Sequence, residues 1–501
     1  MNILYVDIDS LRPDHLGCYG YHRPTSPNLD ALAAEGLRFT RCYTPDAPCL
    51  PSRTAMTTGR FGIHTGVVNH GGVASQPFIW GADRAFGCNM TDGNWANVLR
   101  ASGYHTVAFS PFAQRHGAWH WYAGFLEMHN TGHGGQETAE MIAPQVTGWL
   151  DHHGKDEKPF FMWVNVWDPH TPYRTPASHG NPFKEDPIPE WYTESVRADH
   201  WNKPGPHSAQ EVNEFEPAPD WLFGPESLKN HPRLAELQPT AISDLNEARR
   251  MFDGYDMGVH YADLHVGKII QHLKDLGLYE NTAIIVSSDH GENLGELNIY
   301  GDHQTADQFT TNVPMIMRWP GVTDARAGQA DSRRVYSIDV AATTLELAGC
   351  HVPKLWDGRG FSESLNRPDS EHRAALVVSQ LAWCAQRAAL WEDWILIETY
   401  HDGYHDYPKH MLFNLADDPH EQDNLAESQP ELVRLGLAIL EDWHEDAMRT
   451  ATHPQDPLET VMAEGGPYHV RGDRSKYLAR LRATGRGDAA DRLALKHPCV
   501  S

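Results

Sequence analysis

Two short apolar runs, each followed by acidic residues, constrain the fold of this chain most strongly. Residues 2–6 (NILYV) precede Asp7 and Asp9, and residues 282–286 (TAIIV) precede Asp289. Continuous apolar runs of this length are typical of strands that are buried on both faces of a parallel sheet. Ligands of open α/β sheets collect at the carboxyl ends of the strands. We therefore expect the two acidic strand ends to meet at one shared site.

Further segments extend the α/β pattern. Apolar spacing predicts a helix at residues 257–276, ahead of the second run, and another at residues 338–349. Residues 159–166 predict a third buried strand. Residues 175–245 are polar, rich in Pro and Trp and without periodicity, which indicates either a functional lid or a plain surface insertion.

A domain boundary is predicted near residue 370, which gives a catalytic α/β domain at residues 1–370 and a smaller C-terminal unit at residues 371–501. The second unit is expected to be a small antiparallel sheet with a helix. Its predicted strands are residues 375–378, 394–399 and 411–415. Residues 451–501 are expected to form a partly helical tail that packs on the body or on a neighbouring subunit. The sequence therefore leaves open whether the chain forms a homo-oligomer.

Composition narrows the possible partners. The chain has 501 residues, enough for a large core and for more than one domain, and a formal net charge of −26. That charge argues against nucleic acid or an anionic membrane surface as a partner, and an anionic substrate would need local positive charge. The seven cysteines show no metal spacing. With no leader and no apolar run near the roughly 18 residues of a membrane span, we expect a cytoplasmic protein.

The most specific motif is CLPSRTAMTTGR at residues 49–60. It resembles the signature of the sulfatase family, Cys-x-Pro-Ser-Arg followed by Thr-Gly-Arg. The resemblance implies that a formylglycine-generating enzyme oxidises Cys49 to formylglycine, whose hydrate attacks a sulfate ester. It also implies that Arg53 steadies this nucleophile and binds the sulfuryl oxygens. Without such a role, Cys49 would be a buried thiol and Arg53 part of a surface ion pair.

The resemblance also implies a divalent metal site, with Ca²⁺ expected first and Mn²⁺ or Mg²⁺ as alternatives. The implied ligands are Asp9, Cys49, Asp289 and His290. Many relatives end the first strand with two aspartates, whereas here Ser10 follows Asp9. Ser10 could bind weakly, water could fill the position, or Asp7 could serve as a further ligand because it shares a strand face with Asp9.

Two histidines are candidate proton donors. The segment DPHTPY at residues 168–173 resembles the Pro-His-x-Pro stretch of sulfatases and points to His170 as a general acid, since imidazole titrates near neutrality. The segment GDH at residues 301–303 resembles one in which relatives carry a lysine, which places His303 at that position as a donor or sulfate contact. The alternative for both is an ordinary structural histidine.

One familiar element is missing. Relatives often carry Gly-Lys-x-His after a Gly-Tyr-x-Thr segment, but here the lysine and histidine positions are Pro111 and Ala113. This departure bears on the substrate more than on the reaction type. The residues that could substitute are His64, His70, Gln114, Arg115 and His116. The aromatic residues at 119–122 and 191–192 could stack on a sugar ring or belong to the core.

The resemblance runs to the segment NLADDPHEQDNL at residues 414–425. It implies an alkaline-phosphatase-like fold: a large, mainly parallel central sheet flanked by helices, with a smaller C-terminal α+β domain that contains an antiparallel sheet. The implied function is hydrolysis of a sulfate ester in a small anionic substrate such as a sulfated sugar. The alternatives are a phosphonate monoester or phosphodiester hydrolase, a metal phosphotransferase with an unmodified nucleophile, and a catalytically inactive binding protein.

Overall fold

The computed structural model of the chain describes residues 1–78, 93–212, 234–367, 370 and 372–498. The strands are, in chain order, β1 Asn2–Ile8, β2 Leu37–Phe39, β3 Cys42–Tyr43, β4 Asp46–Ala47, β5 His105–Phe109, β6 Glu127–His129, β7 Phe160–Val166, β8 Thr282–Ser287, β9 Asn293–Leu294, β10 Tyr300–Asp302, β11 Met315–Arg318, β12 Gln329–Asp331, β13 Val335–Tyr336, β14 Ala375–Gln380, β15 Ala385–Trp391, β16 Trp394–His401 and β17 His410–Asn414. The helices are α1 Pro27–Glu35, α2 Cys49–Thr58, α3 Gly62–Thr65, α4 Trp95–Ala101, α5 Phe112–Arg115, α6 Ala139–His153, α7 Glu194–Trp201, α8 Ala209–Val212, α9 Leu234–Leu237, α10 Leu245–Asp275, α11 Gln308–Thr311, α12 Ser337–Leu347, α13 Pro430–Thr450, α14 Pro457–Ala463, α15 Arg474–Ala483 and α16 Gly487–Lys496.

The central sheet brings the two acidic strand ends together. Within the described residues its strand order is β12-β2-β11-β8-β1-β7-β5-β6. β1 lies between β7 and β8 and is parallel to both, whereas β11 is antiparallel to its two neighbours. Every residue of β1, β7 and β8 is buried. The expected mainly parallel sheet is therefore confirmed, and the chain leaves β1 and β8 at the same edge, with Asp9 and Asp289 close behind.

The long helix α10 starts well before the predicted residues 257–276. The side chain of Asp244 caps it by accepting hydrogen bonds from two backbone N–H groups of the first turn. The sequence pattern does not predict residues 245–256 as helix, because small and acidic residues lie on the buried face of this part of α10. A Cβ on Gly254 would come within 2.6 Å of the ring of Tyr173, and one on Gly258 within 2.7 Å of Pro169. These close approaches place the loop after β7 against α10.

Helix α2, which begins at Cys49, is buried along its whole length. It ends at Gly59, whose φ of 65° lies in the left-handed region that favours glycine. A Cβ at this position would also lie 1.9 Å from the indole of Trp356. The glycine of the Thr-Gly-Arg segment is thus required both by the backbone turn and by a packed neighbour.

The C-terminal sheet has the order β17-β16-β15-β14-β4 among the described strands. Strands β14 to β17 are antiparallel neighbours, as expected from the sequence. The edge strand β4, however, comes from the N-terminal part of the chain and runs parallel to β14 through Ser379 and Gln380. The segment immediately before Cys49 is therefore part of the C-terminal sheet, which a boundary near residue 370 did not anticipate.

The C-terminal tail is helical and packs back onto the body. Helices α15 and α16 pack against each other around a small apolar cluster that includes Leu481 and Leu493. Arg486 donates to the backbone carbonyl of Gly205, and Arg480 donates to that of Pro204. The tail therefore holds part of the segment 175–245 in place. Among the described residues, no helix combines the length and the apolar character that crossing a membrane requires.

We expect Ile284→Ala in β8 to lower the free energy of unfolding by about 2–5 kcal/mol, because it leaves a cavity in a filled core. Ile284 is fully buried between β1 and β11. Leu495→Ala removes the same number of carbon atoms from a side chain that is 83% exposed, and it should cost far less. Urea unfolding of both variants measures the difference, and equal losses would contradict the placement of β8 in the core.

Candidate active site

Cys49 lies at the centre of a buried polar cluster. It is the first residue of α2 and is 3% exposed, and its Sγ lies 3.0 Å from Nε2 of His290. Burial, together with the negative charges of Asp9 and Asp289, raises the pKa of the Cys49 thiol well above its usual value. The encoded side chain is therefore a protonated thiol at neutral pH and a weak nucleophile.

The predicted metal ligands converge on this cysteine. Ligand atoms of Asp9, Cys49, Asp289 and His290 all lie within 4.8 Å of one another. The hydroxyl of Ser10 donates to Oδ1 of Asp9 at 3.0 Å, and its backbone N–H donates to Oδ1 of Asp289 at 3.4 Å. Ser10 therefore orients both carboxylates, and its own role as a weak ligand stays a prediction.

Arg53 joins three carboxylates from two strand ends. Its Nε and Nη2 donate to Asp7 and Asp9 at 2.7 and 2.9 Å. Its Nη1 lies 2.7 Å from Oδ2 of Asp289, although the two atoms are not aligned as a hydrogen bond. All four side chains are at most 1% exposed. Arg53 is thus a buried ion-pair partner, and the surface ion pair considered from the sequence is wrong.

The pKa values of the carboxyl groups follow from burial and from this single cation. Burial raises the pKa of Asp7 to about 7 in spite of Arg53, and it raises that of Asp289 to about 7. For Asp9, burial is outweighed by Arg53, His170 and His290, which hold its pKa well below the usual range. Three carboxyl groups therefore share one guanidinium, and two of them ionise only with difficulty.

The donor set fits a hard divalent cation. Oδ1 of Asp7 and Oδ2 of Asp289 are buried, and neither accepts a hydrogen bond within the described structure. Unsatisfied carboxylate oxygens of this kind are what Ca²⁺, Mg²⁺ or Mn²⁺ bind. A cation between Asp9 and Asp289 would also lower the pKa of both groups. The ligands predicted from the sequence are therefore grouped as a metal site requires.

His170 and His303 also lie close to Cys49. Ligand atoms of these three residues lie within 4.8 Å of one another, and the two imidazole rings are 5.7 Å apart. Burial lowers the pKa of His170 well below its usual value and that of His303 to about 3. Both rings are therefore neutral at pH 7. The single proton of neutral His170 is on Nδ1, which donates to the backbone carbonyl of Thr171, so its Nε2 is unprotonated.

Three residues hold the loop that carries His170. Arg174 donates to the backbone carbonyls of Gly135 and His170. The hydroxyl of Tyr173 donates to Glu292 at 2.5 Å. Glu292 follows the metal-ligand segment by two residues, so it links the loop after β7 to the loop after β8. Burial raises the pKa of Glu292 to about 8, and its protonated form is stabilised in this interior position.

The residues considered as substitutes for the missing lysine and histidine separate into two groups. His64 is hydrogen-bonded to Asp357 and to the carbonyl of Ala447, and Gln114 is exposed. Neither is brought to Cys49. The residues that the structure brings to the site are His70, Arg115 and His116: the charge of Arg115 acts on Cys49 and His170, and the rings of His70 and His116 are 5.0 Å apart.

His469 is a residue of the site that the sequence does not predict; it lies in the C-terminal tail, and its Nε2 is 2.8 Å from Nδ1 of His70. No local pattern could have found it, because the two residues are far apart in the chain and meet only through the fold.

The aromatic residues that were considered for stacking on a sugar ring differ in their placement. Trp121 and Tyr192 are buried in the core, whereas Trp119 is 66% exposed.

The chain matches known protein families over most of its length. The Sulfatase family model matches residues 1–350, and a model for the C-terminal part of N-sulphoglucosamine sulphohydrolase matches residues 295–439. A similar protein is the ulvan-active sulfatase of Formosa agariphila, 25% identical in an alignment 451 positions long that covers 87% of this chain and 78% of the relative. The N-acetylglucosamine-6-O-sulfatase of Bacteroides thetaiotaomicron is 23% identical in an alignment 530 positions long that covers 93% of this chain and 89% of the relative.

Solved structures show the same fold. A protein in complex with its substrate D-glucosamine-2-N,6-O-disulfate superimposes with a TM-score of 0.69 at 20% identity, over 91% of this chain and 99% of that chain. A phosphonate monoester hydrolase from Silicibacter pomeroyi gives a TM-score of 0.65 at 20% identity, over 90% of this chain and 96% of that one. These likenesses confirm the expected alkaline-phosphatase-like fold.

We expect Arg53→Met to lower the free energy of unfolding by about 3–5 kcal/mol, because it leaves three buried carboxyl groups without a cation. A second change, Asp7→Asn, should recover part of the loss. Arg41→Met is the matched control, since Arg41 pairs with Asp393 at an exposed site where an ion pair contributes about 0–1 kcal/mol. Urea unfolding compares the variants, and similar losses for Arg53→Met and Arg41→Met would speak against the buried cluster.

Proposed function

Since the chain belongs to the sulfatase family, we propose that this sulfuric ester hydrolase cleaves the sulfate ester of a small sulfated carbohydrate. Two similar proteins are named for ulvan and for N-acetylglucosamine-6-O-sulfate, and a structure with the same fold holds a sulfated glucosamine. The net charge of −26 requires that the anionic group be held by local cations. Arg53 and Arg115 supply that charge beside Cys49.

We propose that Cys49 is converted to formylglycine by a formylglycine-generating enzyme. The run CLPSR at residues 49–53, which resembles the signature of the family, supports this. Formylglycine, once formed, supplies a hydrated aldehyde with an oxygen that can attack sulfur and a second hydroxyl that permits release of sulfate.

We propose that Asp9, Asp289, His290 and the side chain of residue 49 hold a divalent metal, with Ca²⁺ first and Mn²⁺ or Mg²⁺ as alternatives. Two carboxylates favour hard cations, and one imidazole extends the range toward Mn²⁺. When bound, the metal draws negative charge from the sulfuryl oxygens. Oδ2 of Asp289, which accepts no hydrogen bond within the described structure, and the compact grouping of the ligand atoms support this assignment.

The remaining tasks fall to side chains of the chain itself. Arg53, fixed by Asp7 and Asp9, presents its positive charge toward residue 49 and the sulfuryl group. His170 or His303, in its protonated imidazolium form, donates a proton to the departing oxygen of the substrate and becomes neutral. An anionic substrate raises the pKa of both imidazoles from their low values, which favours the donor form at the moment of reaction.

A phosphonate monoester hydrolase is the second candidate. Phosphonate monoester hydrolases from Silicibacter pomeroyi and Agrobacterium radiobacter share this fold, with TM-scores of 0.65 and 0.63. Ser10 also replaces the second acid that many sulfatases carry on the first strand. A less negative metal site is compatible with either substrate class, and the family membership favours sulfate.

The observation that carries the proposal is the contact between Cys49 and His290, 3.0 Å apart amid Asp9, Asp289 and Arg53. We expect enzyme with formylglycine at position 49, verified by intact mass, to hydrolyse an aryl sulfate and a 6-sulfated N-acetylglucosamine faster than a phosphonate monoester. Cys49→Ala should lower turnover by about 10⁴-fold or more while the fold is kept. Faster turnover of the phosphonate ester would transfer the assignment to the second candidate.

We expect Ca²⁺ to raise the midpoint of thermal unfolding relative to EDTA, because a cation offsets the repulsion among the buried carboxylates. At 100 times its Kd, a ligand stabilises by about 2.7 kcal/mol. Asp289→Asn should abolish most of this shift, whereas Asp393→Asn, which changes an exposed carboxylate, should retain it. Calorimetric titration with CaCl₂ gives the affinities, and a full Ca²⁺ shift in Asp289→Asn would refute the ligand assignment.

A further inference from the structure

His70 lies at the amino end of the helix that carries the nucleophile. Its Nε2 accepts a hydrogen bond at 3.4 Å from the backbone N–H of Leu50, the residue directly after Cys49. A ring nitrogen that accepts has a lone pair and no hydrogen, so the proton of a neutral His70 is on Nδ1. This tautomer leaves an unprotonated nitrogen at the backbone N–H of Leu50, next in the chain to residue 49.

The C-terminal tail stabilises that tautomer. Nδ1 of His70 is 2.8 Å from Nε2 of His469, so His70 donates and His469 accepts. His469 stacks on Trp383, with ring centroids 4.3 Å apart and planes inclined by 15°. Its backbone N–H also donates to the carbonyl of Ala382 at 3.0 Å. The orienting imidazole is therefore held against the turn between β14 and β15.

A buried amide joins the two histidine segments. Oδ1 of Asn69 accepts hydrogen bonds from the backbone N–H groups of His70 at 2.9 Å and of Tyr468 at 3.3 Å. Asn69 is fully buried. Separating the two segments would break the hydrogen bond from Tyr468, and a typical hydrogen bond contributes about 0.5–1.5 kcal/mol. The approach of His469 to His70 is thus built into the packing.

The surroundings keep His70 neutral. Burial lowers its pKa well below the usual value, and the imidazoles of His469, His116 and His303 lower it further. Among the described residues, no carboxylate is hydrogen-bonded to either ring nitrogen of His70. A neutral imidazole with its lone pair directed at the start of α2 has the form required of a proton acceptor.

We propose that His70 is the base that takes a proton from the oxygen on residue 49 when sulfate is released, and that His469 is the positioning residue that keeps Nε2 of His70 unprotonated, so that Nε2 can exchange its contact with Leu50 for the hydroxyl of residue 49. This inference rests on the proposed function and assigns a step to residues that the reaction scheme above leaves without one. It makes the C-terminal tail part of the active site and fills a role that Pro111 and Ala113 cannot perform.

The step balances without a further reactant. Before it, one carbon of residue 49 carries a hydroxyl group and a sulfate ester. Nε2 of His70 takes the hydroxyl proton, the O–H electron pair forms the C=O bond, and the C–O bond to sulfate breaks. Sulfate leaves with the electron pair of that bond, the aldehyde is restored, and the imidazolium of His70 returns its proton to solvent water.

The first test uses His70→Ala and His70→Gln in enzyme with formylglycine at position 49. With an aryl sulfate as substrate, we expect sulfate release to fall by about 10²–10⁴-fold, the range for loss of a general base. The first attack is retained, so the variants should accumulate the added mass of one sulfuryl group. The parent enzyme, which releases sulfate, should show no such accumulation in intact-mass spectra.

The second test addresses His469. His469→Leu removes the acceptor for Nδ1 of His70, and kcat should fall by about 10- to 100-fold, as when the partner of a functional histidine is lost. His469→Gln offers its Oε1 in place of the ring nitrogen and should restore most of kcat. Tyr468→Phe is the matched control and should change neither value, because the side chain is 48% exposed and its hydroxyl makes no hydrogen bond within the described structure.

Crystal structures of the His469 variants test the positioning role independently of catalysis. In crystal structures of the unmodified Cys49 form, His469→Gln should keep the hydrogen bond between Leu50 and His70, and His469→Leu should lose it. If the parent enzyme releases sulfate and both His70 variants match its rate without a mass adduct, the inference is overturned and the function stands. Equal losses in His469→Leu and His469→Gln would overturn the positioning role. A parent enzyme that neither hydrolyses an aryl sulfate nor gains mass would remove the function and the inference together.

Discussion

The ion cluster around Arg53 is the interaction on which the rest of the site depends. Three carboxyl groups from two strand ends meet one guanidinium in an interior position, and burying charges is costly unless they are paired. When all three are ionised, two negative charges remain. A divalent cation bound there would balance them, and burial raises the pKa of Asp7 and of Asp289 to about 7. Charge balance thus links the sheet topology to the metal and to the nucleophile.

The parts of the fold that depend on local patterns could be predicted from the sequence. Buried parallel strands read as apolar runs, so β1, β7 and β8 were identified, and their shared edge followed from the rule for strand ends. The prediction that Asp9 and Asp289 lie at one shared site required only this rule. The first half of α10 was missed because glycines and aspartates on its buried face hide the helical period.

Features that depend on the meeting of distant segments could not be predicted. β4 has two residues and no period of its own, so its place in the C-terminal sheet is set by tertiary packing alone. His469 is one of 31 histidines and has no neighbouring motif. Its position beside His70 depends on Asn69 and on the stacking with Trp383. Local sequence patterns do not predict where the folded tail places a single side chain.

The lysine and histidine of Gly-Lys-x-His are absent from this chain, and other residues supply a positive charge and imidazole groups to the site. Pro111 and Ala113 occupy the familiar positions, yet Arg115 brings a positive charge within reach of Cys49, and His70 and His116 bring imidazoles. Electrostatic stabilisation depends on where a charge lies in space. The residue that supplies it, and the position in the chain from which it comes, can therefore vary.

The pairing of β4 with β14 has a consequence for the order of events during synthesis. Asp46 and Ala47 leave the ribosome early, whereas their partners Ser379 and Gln380 follow after most of the chain has been made. Until then, β4 lacks its partner strand β14, and the start of α2 cannot reach its buried position in the folded chain. The proposed oxidation of Cys49 would have to take place in this interval, because the thiol is 3% exposed in the folded chain.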